Sequence, residues 1–318
     1  MARSSDVPTL LARARSGDRR SLARLISLVE RGDADGESVL AAVFSATGRA
    51  WTTGLTGAPG AGKSTLTDQL IRTIRLDGCE VAILAVDPSS PFSGGAILGD
   101  RLRMQDHVDD AGVYIRSMAS RGHLGGIAEA TPRALTVLDG VGFPEVLVET
   151  VGVGQAEVDI AGQADTTLVV LNPRWGDSIQ AAKAGLLEIG DVFVVNKADR
   201  PGVDDTVRDL RQMLELGGER TWWPPIVTTV ATDGDGTDEV WSAVQSHRRH
   251  LTETGSLAEV RRSRLTSEVR EAVGFAMRRA VRSRLDQTAW SQLIDDVTSR
   301  KLDPWTAARQ ITALLDAG

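Results

Sequence analysis

Residues 57–65 read Gly57-Ala58-Pro59-Gly60-Ala61-Gly62-Lys63-Ser64-Thr65, which fits G-x-x-x-x-G-K-[ST] at every position. No other stretch restricts the fold so strongly, because this motif works only between a strand and a helix. Its flanks comply: Ala50 to Thr56 ends in a short apolar run, and Leu66, Leu70, Ile71 and Ile74 repeat at helical spacing as far as Leu76. Glycines 57, 60 and 62 let the backbone turn with its N–H groups facing inward, around a di- or triphosphate. The helix N-terminus adds partial positive charge. Lys63 then reaches the β- and γ-phosphates, and the Ser64 hydroxyl is placed to ligate Mg²⁺. The whole stretch from Gly57 to Thr65 is read as a nucleotide site.

Downstream, Glu80 to Val86, Val113 to Arg116, Val146 to Glu149, Thr167 to Leu171, Asp191 to Val195 and Ile226 to Val230 are short apolar runs separated by helical or Gly-rich stretches. This alternation predicts an α/β fold, a mostly parallel sheet with helices on both faces and ligands at the C-terminal ends of its strands. An apolar content of 42% against 25% charged residues supports a sizeable globular core. The residues at the C-terminal end of each strand are therefore the informative ones.

Asp87 comes directly after the first run, and the loop beyond it reaches Asp100; both are candidates for the metal shell, although an Asp before Pro also serves as a turn former. Glu149-Thr150-Val151-Gly152 is similar to the Asp-x-x-Gly switch of GTPases with Glu in place of Asp. Gly152 is placed to donate its N–H to a γ-phosphate. Asn196-Lys197-Ala198-Asp199 ends a later strand. The Asp199 carboxylate only accepts hydrogen bonds, which matches the N1–H and exocyclic NH₂ of guanine; adenine presents no such pair. Lys197 lays its stem against the base plane. These residues favour GTP over ATP.

Residues 7–46 read as helices: one from Pro8 to Gly17, one capped by Asp18 and ended by Gly32, and a shorter one over Val39 to Ala46. Helices also dominate from Thr237 onward, where arginines and acids alternate on the 251–318 arm. The expected division is 1–48 N-terminal helices, 49–250 nucleotide domain and 251–318 helical arm. A net charge of −7 gives no global attraction to nucleic acid or an anionic membrane. The single cysteine, Cys79, read at the start of a strand, suits a reducing cytoplasm. No run approaches a membrane span or a signal-peptide core. A cytoplasmic location is expected.

Taken together, these motifs resemble the methylmalonyl-CoA mutase-associated GTPases of the MeaB or ArgK type. The similarity extends over nearly the whole chain. Its most specific parts are residues 57–65, Ala85 to Ser90, Gly94-Gly95 with Leu98-Gly99-Asp100, Leu124-Gly125-Gly126, Glu149 to Gln155, Asn196 to Asp199 and Trp223-Pro224-Pro225. The resemblance implies a P-loop G-domain of the SIMIBI class and a homodimer built partly by the C-terminal helices. It also implies Mg²⁺-dependent GTP hydrolysis coupled to a B12-dependent acyl-CoA mutase, by default methylmalonyl-CoA mutase. There the protein gates adenosylcobalamin loading and protects the mutase from inactivation, with the adenosyltransferase that supplies the cofactor as a further partner. Residues from Asp177 through Gln180 to Lys183 match the family's mutase-responsive segment, which adds Lys183 to Lys63, Asp87, Glu149 and Gly152 as a catalytic candidate. The family's Ser-Ala element behind the base aligns with Val230-Ala231-Thr232, so backbone N–H groups take over there. Pro91-Phe92-Ser93 replaces a more polar stretch of the switch loop.

Three other readings remain open on sequence alone. A kinase of the ArgK name would transfer phosphate to an acceptor hydroxyl, with Asp87 beside the γ-phosphate. A metal-delivery GTPase would cluster Cys or His, whereas this chain has one cysteine and four scattered histidines. A nucleotide-binding scaffold would not hydrolyse.

Overall fold

The computed structural model describes residues 7–87, 107, 109–119, 130–150, 160–173, 180–218, 220–284 and 287–316. The chain divides into two compact units, Met1–Ala258 and Glu259–Gly318.

In the first unit, three helices precede the sheet: α1 (Val7–Arg15), α2 (Arg19–Arg31) and α3 (Ala34–Val43). Asp18 caps α2 by accepting from Arg20 N–H at 3.0 Å and Ser21 Oγ at 2.8 Å, and Gly32 ends it with φ +64°. The third helix starts five residues earlier than its apolar residues indicate. Asp33 accepts from Gly36 N–H at 3.1 Å and nucleates a first turn of acids and glycine, while Phe44–Ala46 tightens into a 3₁₀ turn.

Among the described residues, seven parallel strands form one sheet in the order β3-β2-β4-β1-β5-β6-β7. They are β1 (Trp51–Thr56), β2 (Val81–Asp87), β3 (Val113–Ala119), β4 (Glu145–Thr150), β5 (Thr166–Leu171), β6 (Val192–Asn196) and β7 (Ile226–Thr229). Connecting helices are α4 (Lys63–Leu76), α5 (Thr131–Val141), α6 (Gln180–Ile189), α7 (Val203–Leu216) and α8 (Thr237–Glu253). Cys79 lies in the connection before β2, half-buried against the core, not within the strand.

The inner strands β4, β5 and β6, with β2, read as near-continuous apolar runs because both faces are buried. Ala82, Leu84, Val86, Val146 and Val148 face the cluster that contains Leu25, Ile26 and Val29 of α2. Val81, Ile83, Leu147, Leu168 and Val170 face Leu66, Leu70 and Ile74 of α4 and Val240 and Val244 of α8. Val169, Leu171, Phe193 and Val195 meet Leu210 and Leu214 of α7. The N-terminal helices are also tied on by polar contacts: Arg116 pairs with Glu30 at 2.6 Å and Arg15 donates to Gly140 O at 3.0 Å.

β1 lies centrally, with β4 on one side and β5 on the other, where the strand order reverses. That arrangement gathers the C-terminal ends of β1, β4, β5 and β6 at one edge, the position where such sheets bind ligands. The second unit carries the rest of α9 (Ser256–Arg284), α10 (Gln287–Thr298) and α11 (Pro304–Asp316). No described helix is long and apolar enough to cross a membrane.

Candidate nucleotide-binding site

The loop from Gly57 to Gly62 leaves the C-terminal end of β1 and enters α4 at Lys63. Its glycines answer different demands. Gly57 has φ +130°, and a Cβ there would lie 2.0 Å from the Val170 carbonyl oxygen. Gly62 has φ +95°, with a Cβ 2.2 Å from Asn196 Nδ2. Gly60 has φ +72° in open space, so only its backbone conformation calls for glycine. Ala61 is buried, while Pro59 and Thr65 are exposed and Ala58 is intermediate.

Lys63 is 6% exposed and folds over the loop, donating to Gly57 O at 2.5 Å and Ala58 O at 3.1 Å. Its ammonium therefore sits over the loop's own carbonyls. The Ser64 hydroxyl donates to Oε1 of Glu149, which is 5% exposed near the end of β4. Strand register puts Glu149 beside Leu55 of β1, so the sheet brings two residues 85 positions apart into contact.

On the other side, Asn196 donates to Ala61 O at 2.8 Å and accepts from Thr229 Oγ1 and Ala231 N–H, both at 3.1 Å. One carboxamide thus joins the phosphate loop to the segment after β7. Lys197 takes a left-handed backbone conformation, φ +61°, uncommon for a side chain of this kind, and its Nζ donates to Gly60 O at 2.6 Å. Ala198 N–H donates to Thr229 O at 3.0 Å, and Asp199 and Thr232 are exposed at the same edge. The Val230 N–H is engaged by Asp235 O at 3.0 Å, so in this arrangement the N–H groups of Val230 and Ala231 both make internal hydrogen bonds.

The phosphate and base motifs are therefore brought together at one sheet edge, with Ser64 against Glu149. Asp87 is the last residue of β2, two strands from β1, and its side chain lies outside the described residues. Asp100, Gly152 and the 177–179 stretch are also outside them, as are Gly94-Gly95 and residues 124–126. Lys183 falls in α6, but its side chain is not described. Sequence reasoning did not single out Asn172 as a contact of the loop. Its Nδ2 reaches Gly60 O at 3.5 Å. The signal was a polar residue directly after an apolar strand of the same sheet.

The family profile described as methylmalonyl-CoA mutase-associated GTPase MeaB matches residues 22–286. The chain belongs to the MeaB family. Guanine nucleotide binding goes with that membership. A protein of Pyrococcus horikoshii assigned as a GTPase is 47% identical over 306 residues, covering 95% of this chain and 96% of that one. A fused isobutyryl-CoA mutase of Cupriavidus metallidurans is 39% identical over 217 residues, 67% of this chain and 20% of the fused protein. The crystal structure of an LAO/AO transport system kinase superposes with a TM-score of 0.68 at 26% identity, covering 98% of this chain and 97% of that one. This last similarity agrees with the fold of a P-loop NTPase.

Proposed function

We propose that this chain hydrolyses GTP, with Mg²⁺, as the chaperone of a B12-dependent acyl-CoA mutase. In that role it gates adenosylcobalamin loading and protects the mutase from inactivation; methylmalonyl-CoA mutase is the default partner. The observation that carries the reading is the meeting of Ser64 with Glu149 beside a complete phosphate loop joined to the guanine motif through Asn196. The family description and the fused mutase support the choice of partner.

Ser64 and Glu149 offer hard oxygen donors, which suit Mg²⁺. Asp87 and Asp100 are the further residues that would hold the ion. When bound, Mg²⁺ neutralises charge on the β- and γ-phosphates. Lys63 supplies the matching positive charge on the loop side, the loop N–H groups orient the phosphates, and Asp199 selects guanine. Gly152 senses the γ-phosphate. Val153 comes directly after Gly152, where Ras-like enzymes carry a water-orienting Gln. Basal hydrolysis is therefore slow, and the mutase supplies acceleration through the segment carrying Lys183. Residues 1–48 brace the nucleotide domain 49–250, and the arm 251–318 serves homodimerisation. The adenosyltransferase is the second partner in cofactor delivery.

Steady-state phosphate release with and without methylmalonyl-CoA mutase tests this. The wild type gains severalfold or more from the mutase, and Lys183→Ala loses most of that gain relative to its own unassisted rate. Equal rates with and without mutase overturn the chaperone reading. Phosphate appearing on a protein or small-molecule hydroxyl instead of in water establishes the kinase.

A further inference from the structure

β7 ends the sheet on its side, and its one neighbour among the described residues is β6. Ile226, Val227, Thr228 and Thr229 are all β-branched, and none is a proline or a charge that would blunt the edge. Phe193 N–H donates to Pro225 O at 2.9 Å and Ala198 N–H to Thr229 O at 3.0 Å, so the odd-numbered residues turn their backbone groups toward β6. Ile226 and Thr228 turn theirs away. The chain itself takes up the far end of this free edge. Val230 N–H donates to Asp235 O at 3.0 Å, and a Cβ on Gly236 would lie 2.2 Å from the Thr228 carbonyl oxygen. What remains outward is Ile226 N–H, Ile226 C=O and Thr228 N–H.

A groove of about 520 Å³ runs along these groups, lined by β7 with Val230, Asp235, Gly236 and Glu239. Asp235 and Glu239 are exposed, and among the described residues no lysine or arginine lines the groove. Lys197, Asp199 and Ala231 do not line it either, so it borders the base motif without using the residues that read guanine. We infer that this groove seats an extended, basic segment of a partner protein as a further strand of the sheet. Unpaired backbone groups at strand spacing call for an extended chain, because a helix has already spent its own N–H and C=O groups. The carboxylates choose its side chains: lysine or arginine at alternate positions falls on one face of the added strand and meets Asp235 and Glu239. A second copy of this chain fits poorly. Two β7 edges paired about a two-fold axis would bring the same acidic lips together, in a protein whose net charge is already −7.

The test pans short random peptides displayed on phage against the full-length protein and keeps those that bind wild type but not Asp235→Lys/Glu239→Lys. Retained peptides are made with a fluorescent label and their affinities read by anisotropy. They are expected to carry alternate lysines or arginines and to bind the charge-reversed variant about five-fold or more weakly. In the wild-type complex, amide exchange followed by NMR is expected to slow several-fold at Ile226 and Thr228. Val227 and Thr229, whose N–H groups already face β6, stay unchanged. Recovery of no such peptide, recovery of peptides without basic residues, or exchange at Ile226 and Thr228 that does not slow overturns the inference. Sedimentation velocity covers the remaining occupant: a wild-type dimer that the charge reversal converts to monomer assigns the edge to a second copy and overturns it as well. Asp235→Asn/Glu239→Gln replaces the reversed variant if that one does not fold.

Discussion

At Gly57 the chain turns with φ +130° and passes so close to β5 that a Cβ would lie 2.0 Å from the Val170 carbonyl oxygen. Neither constraint can relax cheaply, because the obstacle is the backbone of a central strand and the conformation is one that side chains rarely adopt. Gly57→Ala therefore displaces the start of the loop, including the carbonyl on which Lys63 rests. The expected cost is about 2 kcal/mol or more in stability, together with at least a ten-fold loss of GTP affinity. Urea unfolding and titration calorimetry measure the two; an unchanged affinity shows that the loop does not hold phosphate.

Among the elements, α8 and β4 create an ion pair with a buried carboxylate at the end of the sheet opposite the nucleotide site. Glu145 begins β4 and is 3% exposed, with Arg248 of α8 donating to its Oε1 at 2.8 Å. Arg248 also stacks over Trp51, 5.1 Å from the ring centroid. Burial raises the Glu145 pKa to about 7, and Arg248 only partly counters it. The folded protein thus holds this proton more tightly than the unfolded chain, whose carboxyl titrates near the usual 4.3. Stability from this group rises as pH falls from 8 toward 6.5 and is lost as pH rises through about 7. On the same helix, burial lowers the His247 pKa to about 4, so its contribution runs the other way below pH 6.5. Comparing wild type with Glu145→Gln at pH 8 and pH 6.5 isolates the first effect. Relative to the variant, the wild type gains on the order of 1 kcal/mol on acidification, measured by urea unfolding. A constant difference between the two proteins would place the Glu145 titration elsewhere.

For the whole molecule, the second unit exposes what a single helical layer cannot bury. Leu265, Val269, Val273 and Met277 recur every four residues along α9 and are 43%, 62%, 53% and 49% exposed. Trp290 and Trp305 of the next two helices are 46% and 80% exposed. An apolar stripe of this kind is covered when helices associate. With the homodimer proposed for the arm, Val269→Glu combined with Val273→Glu yields a monomer that keeps its nucleotide affinity, because both positions lie outside the first unit. Sedimentation velocity reads the mass directly. A double variant that remains a dimer removes the arm from the interface.

The phosphate loop, the guanine motif and the order of strands and helices were legible because each rests on local chemistry: glycines where φ is positive, apolar runs where both sheet faces are covered, capping residues where helices begin. Asp18 and Gly32 bound their helix as read, whereas Asp33 was not recognised as the start of α3, because a cap leading into Asp35, Gly36 and Glu37 shows no apolar period. The sequence by itself pointed to a nucleotide at the end of β1 and to Asp199 as the residue proposed to select guanine. Strand order decided which distant residues share the site. Only by inserting β4 between β2 and β1 does the chain bring Glu149 to Ser64, and only the side-by-side placement of β1, β5 and β6 brings Asn172, Asn196 and Lys197 onto one loop. Periodicity records which face of an element is buried; it carries no information about which strand will lie beside it, because that is set by packing across the whole sheet.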